Sequence, residues 1–208
     1  MASRSAAWSG SRPRRASTRR ASRSASRTST ARSAAADVGA TLRLDPAHEL
    51  TALYAQGLNQ LGAWLGDASP ELGESAERMA ERLTAMPFFA DTGFYKRAQI
   101  AANDLQLAGV AHFADIGRLT IFADNLVPHV LRHEGVLRYS DELAELVDSG
   151  TELPAASRLE QEIRACALHA CEGIARRLDV APALLDNWLW NRGLGLPGRP
   201  HITRTTFY

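Results

Sequence analysis

Residues 119–140 read LTIFADNLVPHVLRHEGVLRYS, and within them the apolar run 122–131 has one acid and one amide, Asp124 and Asn125, set between Phe122 and Leu126. The apolar run after Asn125 predicts a helix over roughly 125–133. Pro128 fits its first turn, where a missing N–H leaves no bond unmade. Asp124 then has two readings. An Asp just ahead of an apolar helical run is an ordinary N-cap, contributing about 1 kcal/mol. A carboxylate at a helix N-terminus is also held in one rotamer and kept ionised by the helix dipole, so it can form the floor of a reactive pocket. The two readings are compatible.

Working outward, the rest of the chain reads as packed helices. DPAHELTALYAQGLNQLGAWL (45–65) places Asp45 as N-cap and Pro46 at the first helical position, with Leu50, Leu53, Tyr54, Leu58, Leu61 and Leu65 at helical spacing. ESAERMAERLTAM (74–86) is a second helix stopped by Pro87. GFYKRAQIAANDLQLAGV (93–110) is a third, with Tyr95, Ala98, Ile100, Ala102 and Leu105 mostly inward. Helices follow over 140–148, along ASRLEQEIRACALHACEGIARRL (156–178), and at APALLDNWLW (181–190). Strand-like alternation is confined to LTIF and the tail RPHITRTTFY. The predicted class is mainly α.

Charge divides the chain. The first 36 residues hold nine of the 24 basic residues and no acid, which leaves 15 basic against 23 acidic residues, a net of −8, beyond them. An acidic body argues against direct nucleic-acid binding. That first stretch has no Leu, Ile or Val and a single aromatic residue, Trp8. It cannot bury enough surface to offset the entropy of ordering, so residues 1–40 read as a disordered basic leader and 41–208 as the helical domain. The leader is open to four readings: a transit peptide, an electrostatic arm for RNA, a phosphorylation-tuned tail, or an unselected stretch read in the wrong frame.

Only Cys166 and Cys171 are present. Five residues apart on a helix, they point about 140° apart and do not readily pair. This usage suits a reducing, cytoplasmic location. A Cys166/His169/Cys171 metal site lacks a fourth ligand and the usual spacing, so no metal site is expected. No stretch approaches the ~20 apolar residues of a membrane span.

FYKRAQI, LTIFADNLVPHVLRHEGVLRYS, EIRACALHACE, LDNWLWN and the terminal RTTFY together resemble, in this order, the queuosine salvage protein family. The resemblance covers about residues 42–208 and is densest from Met86 onward. It implies a mostly helical fold related to helix-hairpin-helix DNA glycosylases. The implied activity is that of an N-glycosylase, a hydrolase that frees queuine from the nucleotide queuosine 5′-phosphate for tRNA modification, with no cofactor. Carried onto this chain, the catalytic acid facing the sugar is Asp124. Lys96 would meet the 5′-phosphate, with Arg97 in a salt bridge to the acidic body. Phe122 would wall the base or ribose, and Asn125 adjoins the substrate. Asp186 would answer the aminomethyl cation of the modified base. Asn191 stands where many relatives have a second acid.

The chemistry requires an acid at that place. Breaking the bond between base and C1′ develops positive charge on the ribose, which a fixed carboxylate stabilises. Asp115 is expected to be structural, Arg204 and Tyr208 to tie the tail down, and His129, His133 and His169 to be surface or cap residues. Family members carry a helical segment ahead of the matched part, and residues 1–40 do not resemble it. The resemblance therefore implies an uncovered apolar face and an opened pocket that would impair catalysis. Two further readings follow: an inactive helical remnant that binds a ligand or a protein, and a DNA glycosylase-like protein, which the acidic body disfavours.

Overall fold

The computed structural model describes residues 34–66 and 71–208; the leader expectation for residues 1–33 lies outside them. Eight helices follow one another: α1 (Ala35–Leu42), α2 (Glu49–Leu65), α3 (Ala76–Leu83), α4 (Lys96–Leu107), α5 (Leu126–His133), α6 (Asp141–Ser149), α7 (Arg158–Leu178) and α8 (Pro182–Gly193). Two short 3-10 turns, Pro87–Phe89 and Ile116–Arg118, flank α4. The mainly α expectation holds. Positions 35–40, assigned above to the leader, lie within α1.

Sequence dictates most of the boundaries. Ser75, Ser140 and Ser157 each accept a backbone N–H from the first turn of α3, α6 and α7, satisfying a donor that the helix itself leaves unpaired. Asp115 caps α3 from a distance, accepting from the Ser75 hydroxyl and the Ala76 N–H, both at 2.6 Å. Its expected structural role is met. At the other ends Gly150 and Asp179 turn into the left-handed region and stop α6 and α7. Asp45 does not cap α2. It accepts from Ala47 N two residues on, and the cap falls to His48, whose ring accepts from Leu50 N.

Two apolar clusters position the functional region. α3 presents Ala76, Met79, Ala80 and Leu83 on one face, packed on Ala98 and Ala102 of α4 and on Phe113 and Leu119. α5, α7 and α8 close around Ile121, Val127, Leu131, Ala167, Cys171 and Leu185. Each such large side chain contributes about 1.5–3 kcal/mol by leaving water. On α4 the inward residues are Ala98, Gln99 and Ala102, whereas Tyr95 is exposed; the stripe is rotated from the expected one to admit Gln99. The reason is polar: Gln99 Nε2 donates to Phe94 O and Thr120 Oγ1, and Gln99 Oε1 accepts from Thr120 N.

That clamp holds the start of LTIF. The stretch joins no strand, and the N–H groups of Thr120 and Phe122 go to the side chains of Gln99 and Asp186. Among the described residues the only β pairing is an isolated bridge between Glu152 and Ile202, inside the tail predicted as strand-like. α2 behaves differently from the rest. Leu50, Tyr54, Leu58, Leu61 and Leu65 all remain between 37 and 54% exposed, so its apolar stripe faces water. No described helix is long and apolar enough to cross a membrane.

Candidate active site

Between Leu119 and α5 the backbone is fixed bond by bond. Phe122 N donates to Asp186 Oδ1 at 2.9 Å, and Ala123 O accepts from Arg164 Nε at 3.0 Å. Asp124 then turns its side chain forward, and its Oδ1 accepts from Leu126 N (2.9 Å) and Val127 N (3.0 Å). The carboxylate is 3% exposed and caps α5 with one oxygen. Asn125, next to it, makes no cap. Its Nδ2 donates to His201 O at 3.1 Å, tying the C-terminal segment to the start of α5.

The second oxygen of Asp124 meets a cation. Lys96 Nζ lies 3.7 Å from Asp124 Oδ2, with the two side chains 14% and 4% exposed. Lys96 opens α4, after a turn in which Asp91 O accepts from Tyr95 N and Asp91 Oδ2 from Lys96 N. The chain contains 23 arginines and this one lysine. At this position alone the chain holds a compact ammonium rather than a planar guanidinium. Lys96, expected to meet the 5′-phosphate, is paired here with Asp124 and also lines a cleft.

Asp186 completes a charged triplet. It is buried in α8, and burial pushes its carboxyl up to about 6; the Phe122 N–H pulls it down, the nearby Asp124 raises it, and Lys96 lowers it. It is a mid-helix residue of α8, not a cap of that helix. Phe122 is buried beside it. Asn191 is not brought to this triplet. It is exposed, and its Nδ2 donates to Asn187 O at 2.7 Å within the same helix. Five residues separate it from Asp186, which places the two on different faces of the helix.

A cleft of about 450 Å³ opens on the solvent side of Lys96, with Phe89, Arg97, Thr206, Phe207 and Tyr208 among its walls. Asp124 stands behind Lys96 rather than in the wall. Arg97 does not make the expected salt bridge. Its guanidinium donates to Thr206 O at 2.7 Å, sits 5.6 and 5.5 Å from the ring centroids of Phe88 and Phe89, and has its pKa lowered by burial. Arg204 pairs with Glu49 and the Tyr208 hydroxyl donates to Glu160, so both tie the tail down as expected. His129 departs from expectation. It is buried in α5, where desolvation and the neighbouring His133 and Arg132 disfavour its charge. Among the described residues no group of three or more His, Cys, Asp or Glu is placed to hold a metal ion.

Sequence reading missed the buried network beneath the triplet: Asp91, Glu160, Arg164 and His201. One signal was present. Glu160 and Arg164 fall on the same stripe of α7 as Ile163, Ala167 and Cys171, and two opposite charges on an apolar stripe imply a buried pair. His201 carried no such mark. It is 1% exposed, and burial with the nearby Arg164 pushes its pKa down to about 4.

A model of the queuosine salvage protein family matches residues 73–208. Among curated proteins, one from Sphaerobacter thermophilus, named queuosine 5′-phosphate N-glycosylase/hydrolase, is 39% identical over 163 residues, covering 68% of this chain and 50% of that protein. Proteins of the same name from Dictyostelium discoideum (38% over 127 residues, 55% and 40% covered) and Mus musculus (30% over 181 residues, 73% and 54% covered) are also similar. The chain spans about half the length of the curated relatives it matches.

Proposed function

The chain belongs to the queuosine salvage protein family, and from that membership and the Lys96–Asp124–Asp186 triplet we propose that it hydrolyses the N-glycosidic bond of queuosine 5′-phosphate, releasing queuine. The observation that carries this reading is the division of labour in Asp124. One oxygen is committed to the α5 N-terminus, and the other faces the chain's single lysine. The acid is thus rigid and paired with a cation that lines a cleft. This is preorganised electrostatics, which costs no rearrangement when charge develops on the substrate.

In the proposed reaction the bond between C1′ and the base nitrogen breaks, and its electron pair leaves with the base, which takes up a proton. Asp124 stabilises the ribose cation from below. Water then adds to C1′, and its proton passes to the carboxylate or to solvent, so that ribose 5-phosphate and queuine are released. A group of this kind supplies about 3–4 kcal/mol. Lys96 fixes the outer oxygen of Asp124. Asp186, held by the Phe122 N–H, is assigned to the aminomethyl cation of the base, with the Phe122 side chain as an apolar wall. Arg97, in the same cleft as Lys96 and without an acidic partner among the described residues, is assigned to the 5′-phosphate. Asn125 serves here as the tie to the tail, and Asn191 takes no part.

The test incubates the full chain with queuosine 5′-phosphate and follows free queuine by mass spectrometry, alongside Asp124→Asn. Release that disappears in the variant supports the enzyme. Binding without release by the unaltered chain would reduce it to a ligand-binding module, and excision of a base from DNA would move it to another substrate class.

A further inference from the structure

Two charged residues beneath the triplet are not explained by stability. Asp91 and Arg164 are both almost fully buried, with Arg164 Nη1 3.0 Å from Asp91 Oδ1 and Nη2 2.5 Å from Oδ2. A buried ion pair seldom adds stability over an apolar pair of the same volume, because desolvation consumes the Coulombic gain. A bidentate fork supplies geometry instead: two parallel bonds fix distance and plane together.

What that fork touches is specific. Asp91 Oδ2 also accepts from the backbone N of Lys96 at 3.3 Å, and the Asp91 carbonyl accepts from Tyr95 N at 2.7 Å, which shapes the turn into α4. On the opposite side, Arg164 Nε donates to the carbonyl of Ala123, the residue before Asp124. One planar group therefore grips the chain next to both members of the Lys96–Asp124 pair. The guanidinium is itself immobilised. Its carbon lies 3.9 Å from the Phe94 ring centroid and 4.9 Å from that of Tyr208. Its Nη1 also donates to Glu160 Oε1, which accepts from the Tyr208 hydroxyl as well.

We propose that Asp91 and Arg164 are positioning residues, a brace that sets the separation between the Lys96 amine and the Asp124 carboxylate. Its catalytic consequence rests on the function proposed above. Lysine at position 164 could not do the same, since one ammonium cannot grip a carboxylate and a carbonyl in a common plane.

The test uses two full-chain variants. Asp91→Asn keeps the packing and weakens the fork. Asp91→Leu combined with Arg164→Met replaces the pair by apolar residues, an exchange that buried pairs usually tolerate in stability. Two readouts are taken on each cooperatively melting protein. The first is the acylation rate of Lys96 by acetic anhydride, read at a single peptide because the chain has no other lysine. The second is kcat and KM for queuine release. The brace predicts severalfold faster acylation in both variants and a kcat lower on the order of 100-fold with little change in KM, because a misplacement of about 1 Å in a catalytic group costs that much. Unchanged acylation with unchanged kcat overturns it, and so does a fall in kcat while Lys96 stays protected. Faster acylation in the variants, with no queuine released even by the unaltered chain, overturns the proposed function and leaves the brace standing.

Discussion

The Nζ of Lys96 lies 3.7 Å from the Oδ2 of Asp124, and the other oxygen of the same carboxylate caps α5. Folding and chemistry thus share one side chain but use separate atoms of it, and mutation can separate them.

Asp124→Asn retains an acceptor for Leu126 N and Val127 N while removing the charge. Queuine release is expected to fall by a factor on the order of 100–1000, the effect of losing one preorganised electrostatic group, with little change in melting temperature. Asp124→Ala should lose the same activity and a further ~1 kcal/mol of stability, because the cap goes too. Single-turnover release and thermal melts of the two variants check the contrast.

Lys96→Arg preserves the positive charge and is still expected to slow release by about 10- to 100-fold. The guanidinium is planar and larger than the ammonium, and it displaces the carboxylate it must pair with. Activity in this variant equal to that of the unaltered chain would show that charge alone is needed at α4.

Arg97→Gln should separate nucleotide from nucleoside. A lost charge-assisted bond to phosphate is worth about 1.5–3 kcal/mol, so KM for queuosine 5′-phosphate should rise about 10- to 100-fold. Turnover of queuosine lacking the phosphate should not change. Parallel kinetics on the two substrates decide the assignment.

Acid should act on the fold through two opposing groups. The folded His201 titrates near 4, against ~6.5 for a free histidine, so its contribution is fully present above ~6.5 and is lost as pH falls toward 4. The folded Asp186 titrates near 6, against ~3.9, so its contribution is fully present below ~3.9 and is lost as pH rises toward 6. Each is worth on the order of 3 kcal/mol, and between pH 4 and 6.5 they offset one another. Asp186→Asn should therefore steepen the acid loss of stability, and His201→Asn should reverse its sign. Denaturant melts at pH 4.5 and 7 provide the comparison. If ionised Asp186 holds the amine of the base, release by the unaltered chain should rise through about pH 6, and Asp186→Asn should lack that rise.

Gly193→Ala tests the packing that carries the acid. A Cβ at position 193 would stand 2.6 Å from Leu126 Cγ and 3.0 Å from Val130 Cγ2, so α8 would push α5 away. Overpacking of this kind costs about 1–3 kcal/mol. Because Leu126 N is a donor to Asp124, release should fall with the melting temperature.

The parts of this arrangement legible in sequence were those with local causes. The helices over 74–86, 140–148 and 156–178 followed from apolar spacing, and Asp124 announced itself by preceding an apolar run. What escaped was set by distant partners. Lys96 meets Asp124 across 28 positions of sequence, and Arg164 meets Asp91 across 73; no local pattern encodes such pairs. Arg97 shows the same limit, since its packing against Phe88, Phe89 and Thr206 depends on where the tail returns. Asn191 was singled out because many relatives have a second acid there, and helical rotation places it on a different face of α8 from Asp186.

The exposed stripe of α2 bears on calorimetry. Leu50, Tyr54, Leu58, Leu61 and Leu65 are hydrated before the molecule unfolds, so melting adds less new apolar hydration than the chain length suggests. The heat-capacity increment should be small for the chain length and the stability curve correspondingly shallow, spreading marginal stability over a wide range of temperature.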